Sequence, residues 1–187
     1  MLFVKVDSAE ANVLMGLTVH QPWAWAQCVA GMRLDNRTWR PPIFAANRQL
    51  ALHAGKAWGR KEKLDASALA CQLHPEYKVP LGSEGYVFGA VVAVATLVGF
   101  VDLDLRDGRG PYSFEIETSR GYAVVGGRIT PEQVESAVTN SFWQGPCGWL
   151  FSDLQVLESP IPVRGQQKVW RLPSAISLEI ATQVNIS

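Results

Sequence analysis

Six valines fall within residues 86–101, at Val87, Val91, Val92, Val94, Val98 and Val101. β-Branched side chains lose rotamer freedom in a helix and pack well on a pleated surface. The stretch is therefore expected to be one long, buried, bent strand, with Gly89 and Gly99 as bend points. The apolar run 87–101 is too short and too interrupted by glycine to be a membrane-spanning helix. A strand of this length needs partners on both sides, and the rest of the chain supplies them.

Residues 13–19 are apolar and partly β-branched, which predicts a first strand. Pro22 then suits the start of a helix over 22–30, because a first-turn position has no backbone hydrogen bond for proline to lose. Gly31 suits its left-handed C-terminal cap. This helix is apolar on most sides, so it is expected to be sandwiched. Short strands are expected at 33–39 and 48–54, the latter with Leu50 and Leu52 on one face. A helix over 61–73 is expected to turn Leu64, Ala68 and Cys71 inward. Residues 102–127 are polar and glycine-rich and are assigned to a variable insertion. Thr130-Pro131-Glu132-Gln133 has the form of a capping box opening a short helix to residue 138. Closing strands are expected at 148–157 and 167–172, joined through Pro160, Pro162 and Gly165. The segment 174–184 has the pattern of one more amphipathic helix. Many strands with short helices at their connections imply an α+β fold, a partly open β-barrel.

At 187 residues, with 48% hydrophobic and 18% charged residues, the chain has the composition of one globular domain. The expected division is a domain over 1–173, with insertions at about 57–85 and 102–140, and a C-terminal tail over 174–187. Seventeen basic residues balance seventeen acidic ones, which argues against binding driven by bulk positive charge. The balance is uneven, however. Residues 31–63 hold Arg33, Arg37, Arg40, Arg48, Lys56, Arg60, Lys61 and Lys63 against Asp35 and Glu62, leaving +6 there and −6 elsewhere. Cys28, Cys71 and Cys147 are odd in number and widely spaced, the usage of free thiols in a reducing compartment. The start MLFVKVDSAEAN turns polar before a signal-peptide apolar region can form, so a cytoplasmic location is expected. Asn36-Arg37-Thr38 then matches the glycosylation sequon only by accident.

The residues able to do chemistry fall in four clusters: 20–25, 31–40, 52–56, and 142–149 continuing to 160–170. They bring tryptophan, arginine, lysine and histidine close to turns at strand ends. Bases stack on aromatic faces, at about 1–3 kcal/mol per stack, and arginine forks hold phosphate bidentately. Trp149 and Trp170 lie inside strand patterns and read as packing residues, whereas Trp39, before Pro41-Pro42, reads as a rim residue. Gly55-Lys56 is no phosphate loop, since Leu50 stands where its first glycine belongs and Ala57 where serine or threonine belongs. His20, His53 and His74 have no zinc spacing, so no metal and no cofactor is expected.

The blocks LTVHQPWAWA, GMRLDNRTWR, LALHAGK and GPCGWLFSDLQVLESPIPVRGQQKVWRLP occur in an order that resembles the ASCH family, over about residues 13–173. ASCH domains resemble PUA domains, so the resemblance implies a PUA-like barrel with a helix beside a ligand cleft lined by a G-x-K-x-x-E-x-R signature. Here the matching stretch is Gly31-Met32-Arg33-Leu34-Asp35-Asn36-Arg37. Arginine replaces lysine, aspartate replaces glutamate, and one intervening residue is missing.

The first expectation is a binding module for RNA, single-stranded nucleic acid or a nucleotide, including a modified base. Its cleft would use Gln21 and Trp23 from the helix, Arg33, Asp35, Arg37, Thr38, Trp39 and Arg40 from the signature strand, and His53 and Lys56 at its border. The alternative implied by the resemblance is a hydrolase, either an N4-acylcytidine amidohydrolase or a ribonuclease. A buried lysine can lose its proton near neutrality but arginine cannot, so Arg33 suits holding a phosphate. Lys56, His53 and Asp35 are the candidates for proton transfer, although His53 reads first as a satisfied strand histidine. A third alternative is a protein-interaction domain acting through residues 102–127 or the C-terminal tail.

Overall fold

The structure, a computed structural model, describes residues 13–107 and 113–186. The polar N-terminal start and part of the 102–127 stretch lie outside those residues. The valine-rich stretch forms strand β4 (Ala90–Asp102), which pairs along its whole length with β7 (Cys147–Pro162), from Ala90 opposite Pro162 to Asp102 opposite Cys147. Every other strand attaches to this pair directly or through a neighbour. On one edge of β4 lie β3 (Gln49–Ala54) and then β1 (Met15–Val19), the latter parallel to β3; β8 (Val169–Arg171) completes that side. The far edge of β7 carries β2 (Leu34–Arg37). The end strands β2 and β8 do not meet, so the sheet wraps as a partly open barrel and the fold is α+β.

Both faces of the sheet are covered, and side-chain alternation assigns residues to each. Leu17, Leu50, Leu52, Ala95 and Leu97 join Trp149 and Phe151 in one core. Ala51, Val91 and Val94 meet Trp170, Leu172 and Ile180 in another, beneath α4 (Ser174–Ala181). Val92 and Ala93 both face the first core. Two successive residues on one face require a break in pairing, and the register with β7 shifts between Val91 and Ala93. Such shifts, together with Gly99, bend the strand. Gly89 instead precedes it, with φ +66°, so the strand starts later than the sequence predicts and Val87 is exposed.

Helix α1 (Trp23–Val29) ends at Gly31, whose φ is +66°. It is covered except at Val29, which is half exposed. Helix α2 (Arg60–Gln72) lies where predicted but turned the other way. Ala66 and Leu69 are buried, whereas Leu64 is 61% exposed and Ala68 and Cys71 also face solvent. Both sets satisfy helical spacing. The Trp23 indole donates to Asp65 Oδ2 at 3.3 Å, and that contact turns the 62–66–69 side toward the barrel. Helix α3 (Pro131–Val138) opens with the predicted capping box: Thr130 N–H donates to Gln133 Oε1 at 2.8 Å, and Gln133 N–H to Thr130 Oγ1 at 3.3 Å.

Within the stretch assigned to a variable insertion, β5 (Ser113–Thr118) and β6 (Gly121–Gly127) form a hairpin, with β6 paired to β4. Ala123 and Val125 bury against Val134, Ala137 and Val138 of α3. Its Gly126 and Gly127, which read as loop, serve close approach to β4, where a Cβ on Gly127 would meet the carbonyl oxygen of Val98. A Cβ on Gly99 would collide with the carbonyl oxygen of Gly126. Gly99→Ala is therefore expected to destabilise the protein by about 1–3 kcal/mol, and Thr130→Ala by about 1 kcal/mol through loss of the cap. Urea denaturation of the two variants checks both values.

Candidate functional site

At one end of the sheet the chain leaves β1, β3 and β7 and enters β4 and β8 around an open hollow of about 1010 Å³, which the end of β2 also lines. The end of β1 contributes Thr18 and His20, and the end of β2 contributes Arg37 and Trp39. From β3 come His53, Gly55 and Lys56; the loop from β7 to β8 closes the remaining side with Arg164, Gly165 and Lys168. Arg37, Lys56, Arg164 and Lys168 thus face one space from three different segments, and no carboxylate lines it. A smaller hollow of about 230 Å³ adjoins it, with His20 and Arg37 lining both. Trp23, Asp35 and Gln144 belong to the smaller one.

Arg37, which with His20 is common to both spaces, is held on three sides. Its Nε donates to Asp35 Oδ2 at 2.6 Å, its Nη2 donates to Thr18 O at 3.0 Å, and its guanidinium carbon lies 5.7 Å from the Trp149 ring centroid. Burial raises the Asp35 carboxyl above its ordinary range, while the charge and hydrogen bond of Arg37 pull it back. Trp39 packs edge-on to Trp149, with centroids 4.6 Å apart, and its carbonyl accepts the Trp149 indole N–H at 3.0 Å. The rim indole is therefore anchored by a fully buried one.

His53 is buried, and its ring closes the floor. Nε2 lies 3.0 Å from Val163 O, which can only accept, so the neutral ring carries its proton there. Nδ1 lies 3.4 Å from Thr18 Oγ1, which itself donates to Gln166 O at 2.8 Å. Burial lowers the imidazole below its ordinary range, and the Lys56 charge acts in the same direction, against its backbone hydrogen bonds. A Cβ on Gly165 would overlap the His53 ring, so only glycine lets the 163–168 loop lie this close. His53 thus supports the loop.

The expected site residues separate accordingly. Arg37, Trp39, His53 and Lys56 line the larger hollow, while Trp23 and Asp35 line the smaller. Gln21, Arg33, Thr38 and Arg40 line neither. Gln21 is 2% exposed, with its amide donating to Val87 O at 2.7 Å and accepting from Trp25 N–H at 3.0 Å. It braces the start of α1. Arg40 is held by Asp102 at 2.6 Å, away from the hollows. Thr18, His20, Arg164 and Lys168 are lining residues that the site expectation omitted. Arg164-Gly165 and Lys168 follow two prolines in a basic, turn-like segment, and that pattern was the available signal.

The chain matches no family model and no curated protein. Among solved structures it is similar to the crystal structure of ASCH from Zymomonas mobilis. Sequence identity is 12% and the TM-score 0.44, over 94% of this chain and 99% of that one. No residue's role is carried over from it. Among the described residues no cluster of histidine, cysteine, aspartate and glutamate is placed to hold a metal ion, and no helix is long and apolar enough to cross a membrane.

Removing the Arg37 guanidinium would strand a carboxylate that is 5% exposed. Breaking such a pair from one side typically costs about 3–5 kcal/mol. Arg37→Ala is expected to fall in that range at pH 7 and to recover as the pH drops toward the ordinary carboxyl range. The sign follows from a folded-state pKa above the unfolded one: the folded state then binds the proton more tightly, and stability falls as pH rises. Adding Asp35→Asn should abolish the recovery. Urea unfolding at the two pH values measures both effects.

Proposed function

We propose that this protein binds RNA or a nucleotide, seating phosphate in the larger hollow and a base against Trp39. The observation that carries this reading is the set of four basic side chains converging on one space without a carboxylate among its lining residues. Such a concentration of one charge raises local anion concentration even when the whole molecule is neutral. The volume is on the scale of small-molecule sites, about 300–1,000 Å³. Arg37 is already oriented by Asp35 and Thr18, so little side-chain entropy remains to be lost on binding. Lys56, exposed at the rim, acts as a point charge toward phosphate, and Trp39 offers an anchored ring for stacking. The smaller hollow beside Arg37, with Asp35 and Gln144 on its walls, has room and polarity for a base edge. The resemblance of residues 13–173 to the ASCH family agrees with this reading.

Fluorescence anisotropy with short labelled RNA and DNA tests the proposal. Affinity is expected to fall steeply between about 50 and 200 mM salt, as counterion release requires. Lys56→Ala should weaken binding uniformly across sequences and reduce the salt slope by about one. Trp39→Ala should cost about 1–3 kcal/mol of affinity through the lost stack. Absence of binding at the lowest salt rejects the reading.

A further inference from the structure

The two adjoining hollows differ in hydrogen-bonding character. Basic side chains line the larger one without any carboxylate, whereas the walls of the smaller one include Asp35 and Glu62. Most polar side chains around the smaller space are already engaged within the protein. Asn36 donates to Phe142 O at 2.8 Å and accepts from the backbone N–H groups of Gln144 and Gly145. The Trp23 indole and the Lys61 ammonium both donate to Asp65. Glu62 Oε2 accepts from Gly59 N–H at 2.8 Å, and that side chain is only partly buried.

Asp35 is the exception. Its Oδ2 accepts from Arg37 Nε at 2.6 Å, and Arg37 is its sole hydrogen-bond partner among the described residues. Oδ1 is left without one, on a side chain that is 6% exposed. That oxygen is not sealed in: among the described residues, the fully buried side-chain atoms without a partner belong to Gln27 and Trp170. Oδ1 therefore opens onto the smaller hollow, whose wall Asp35 forms in part. An ionised carboxylate can only accept, so this position suits a ligand group that donates.

Resting on the reading of the larger hollow, we infer that Asp35 selects the base: its Oδ1 accepts from an exocyclic amino group, so amino-bearing bases bind in preference to their oxo counterparts. Arg37 and His20 line both hollows, so the phosphate and base edge of one nucleotide reach the two spaces together. The bond from Arg37 fixes the carboxylate before the ligand arrives. Adenine and cytosine present an amino group where hypoxanthine and uracil present oxygen. In the oxo bases that oxygen would face Oδ1 with neither able to donate. Their remaining edge donor, a ring N–H, is recessed beside carbonyl oxygen that a carboxylate repels.

Fluorescence anisotropy on the full chain tests this with labelled single-base RNA tetranucleotides in two matched pairs, cytidine against uridine and adenosine against inosine. Backbone and charge are the same within a pair, so the affinity ratio reports the base edge. A purine and a pyrimidine hold that edge at different distances from the ribose, so a preference in one pair suffices. There the amino member is expected to bind about tenfold tighter or more. Asp35→Asn should bring the ratio below about threefold, because an amide donates as well as accepts. Glu62→Gln should leave it unchanged. The ratio is the readout, since removing a charge beside Arg37 shifts both members of a pair alike, and the comparison in the unaltered protein stands even if Asp35→Asn fails to fold. Equal binding within both pairs, or a preference that survives Asp35→Asn, overturns the selection by Asp35 and leaves the phosphate site in place. If none of the four probes binds at the lowest salt, the reading of the larger hollow fails and this inference fails with it.

Discussion

The β4–β7 pair is the constraint from which the remaining architecture follows. The two strands are paired from Ala90 and Pro162 at one end to Asp102 and Cys147 at the other; β4 is buried over most of its length and β7 chiefly over Cys147–Phe151. Because β4 bends, one edge serves two neighbours in succession: β3 along Ala90–Thr96 and β6 along Gly99–Asp102. A straight strand would have carried one neighbour along that edge. The hairpin and α3 lie toward the Asp102 end of β4, where β2 also ends opposite Cys147, whereas β1 and β3 end beside its Ala90 end. The basic hollow lies at that second end.

The hollow carries an electrostatic cost that the fold offsets locally. Several cations held close together repel one another, and open solvent between them screens much of that repulsion. Arg37 is the exception, being only 15% exposed at its side chain. Its partner Asp35 lies on the same short strand, two residues away, so the pair forms without depending on a distant loop. The arrangement keeps the carboxylate behind the guanidinium, where it orients the arginine without lining the larger space. On the opposite wall the loop from β7 to β8 depends on contacts with no charge at all: Thr18 to Gln166, His53 to Val163, and a glycine pressed on an imidazole.

Much of this was legible in the sequence because the signals were local. Six valines in one stretch, a proline and a glycine bracketing α1, and Thr130 with Gln133 each act within a few residues, and each element formed where its signal stood. Burial of Trp149 and Trp170 likewise followed from their place in strand patterns. The inward face of α2 was not legible, since Leu64 with Ala68 and Ala66 with Leu69 obey the same helical spacing. The β5–β6 hairpin was hidden by its glycines, whose purpose, admitting β4 against β6, is a property of two strands far apart in the chain. Gln21 and Arg40 had the chemistry of ligand-binding residues, but Val87, Trp25 and Asp102 had prior claim on their polar atoms.

By itself, then, the sequence determined most of the segments that become strand or helix, β5 and β6 excepted, the α+β class, and the inventory of arginines, lysines and indoles near strand ends. Those follow from propensity and periodicity, which depend on neighbours in the chain. Which of those side chains share a space was decided only by tertiary structure. Arg37, Lys56, Arg164 and Lys168 are separated by up to 131 positions and meet because four strand ends converge. Whether an arginine faces solvent or a carboxylate depends on that convergence, and no spacing along the chain encodes it.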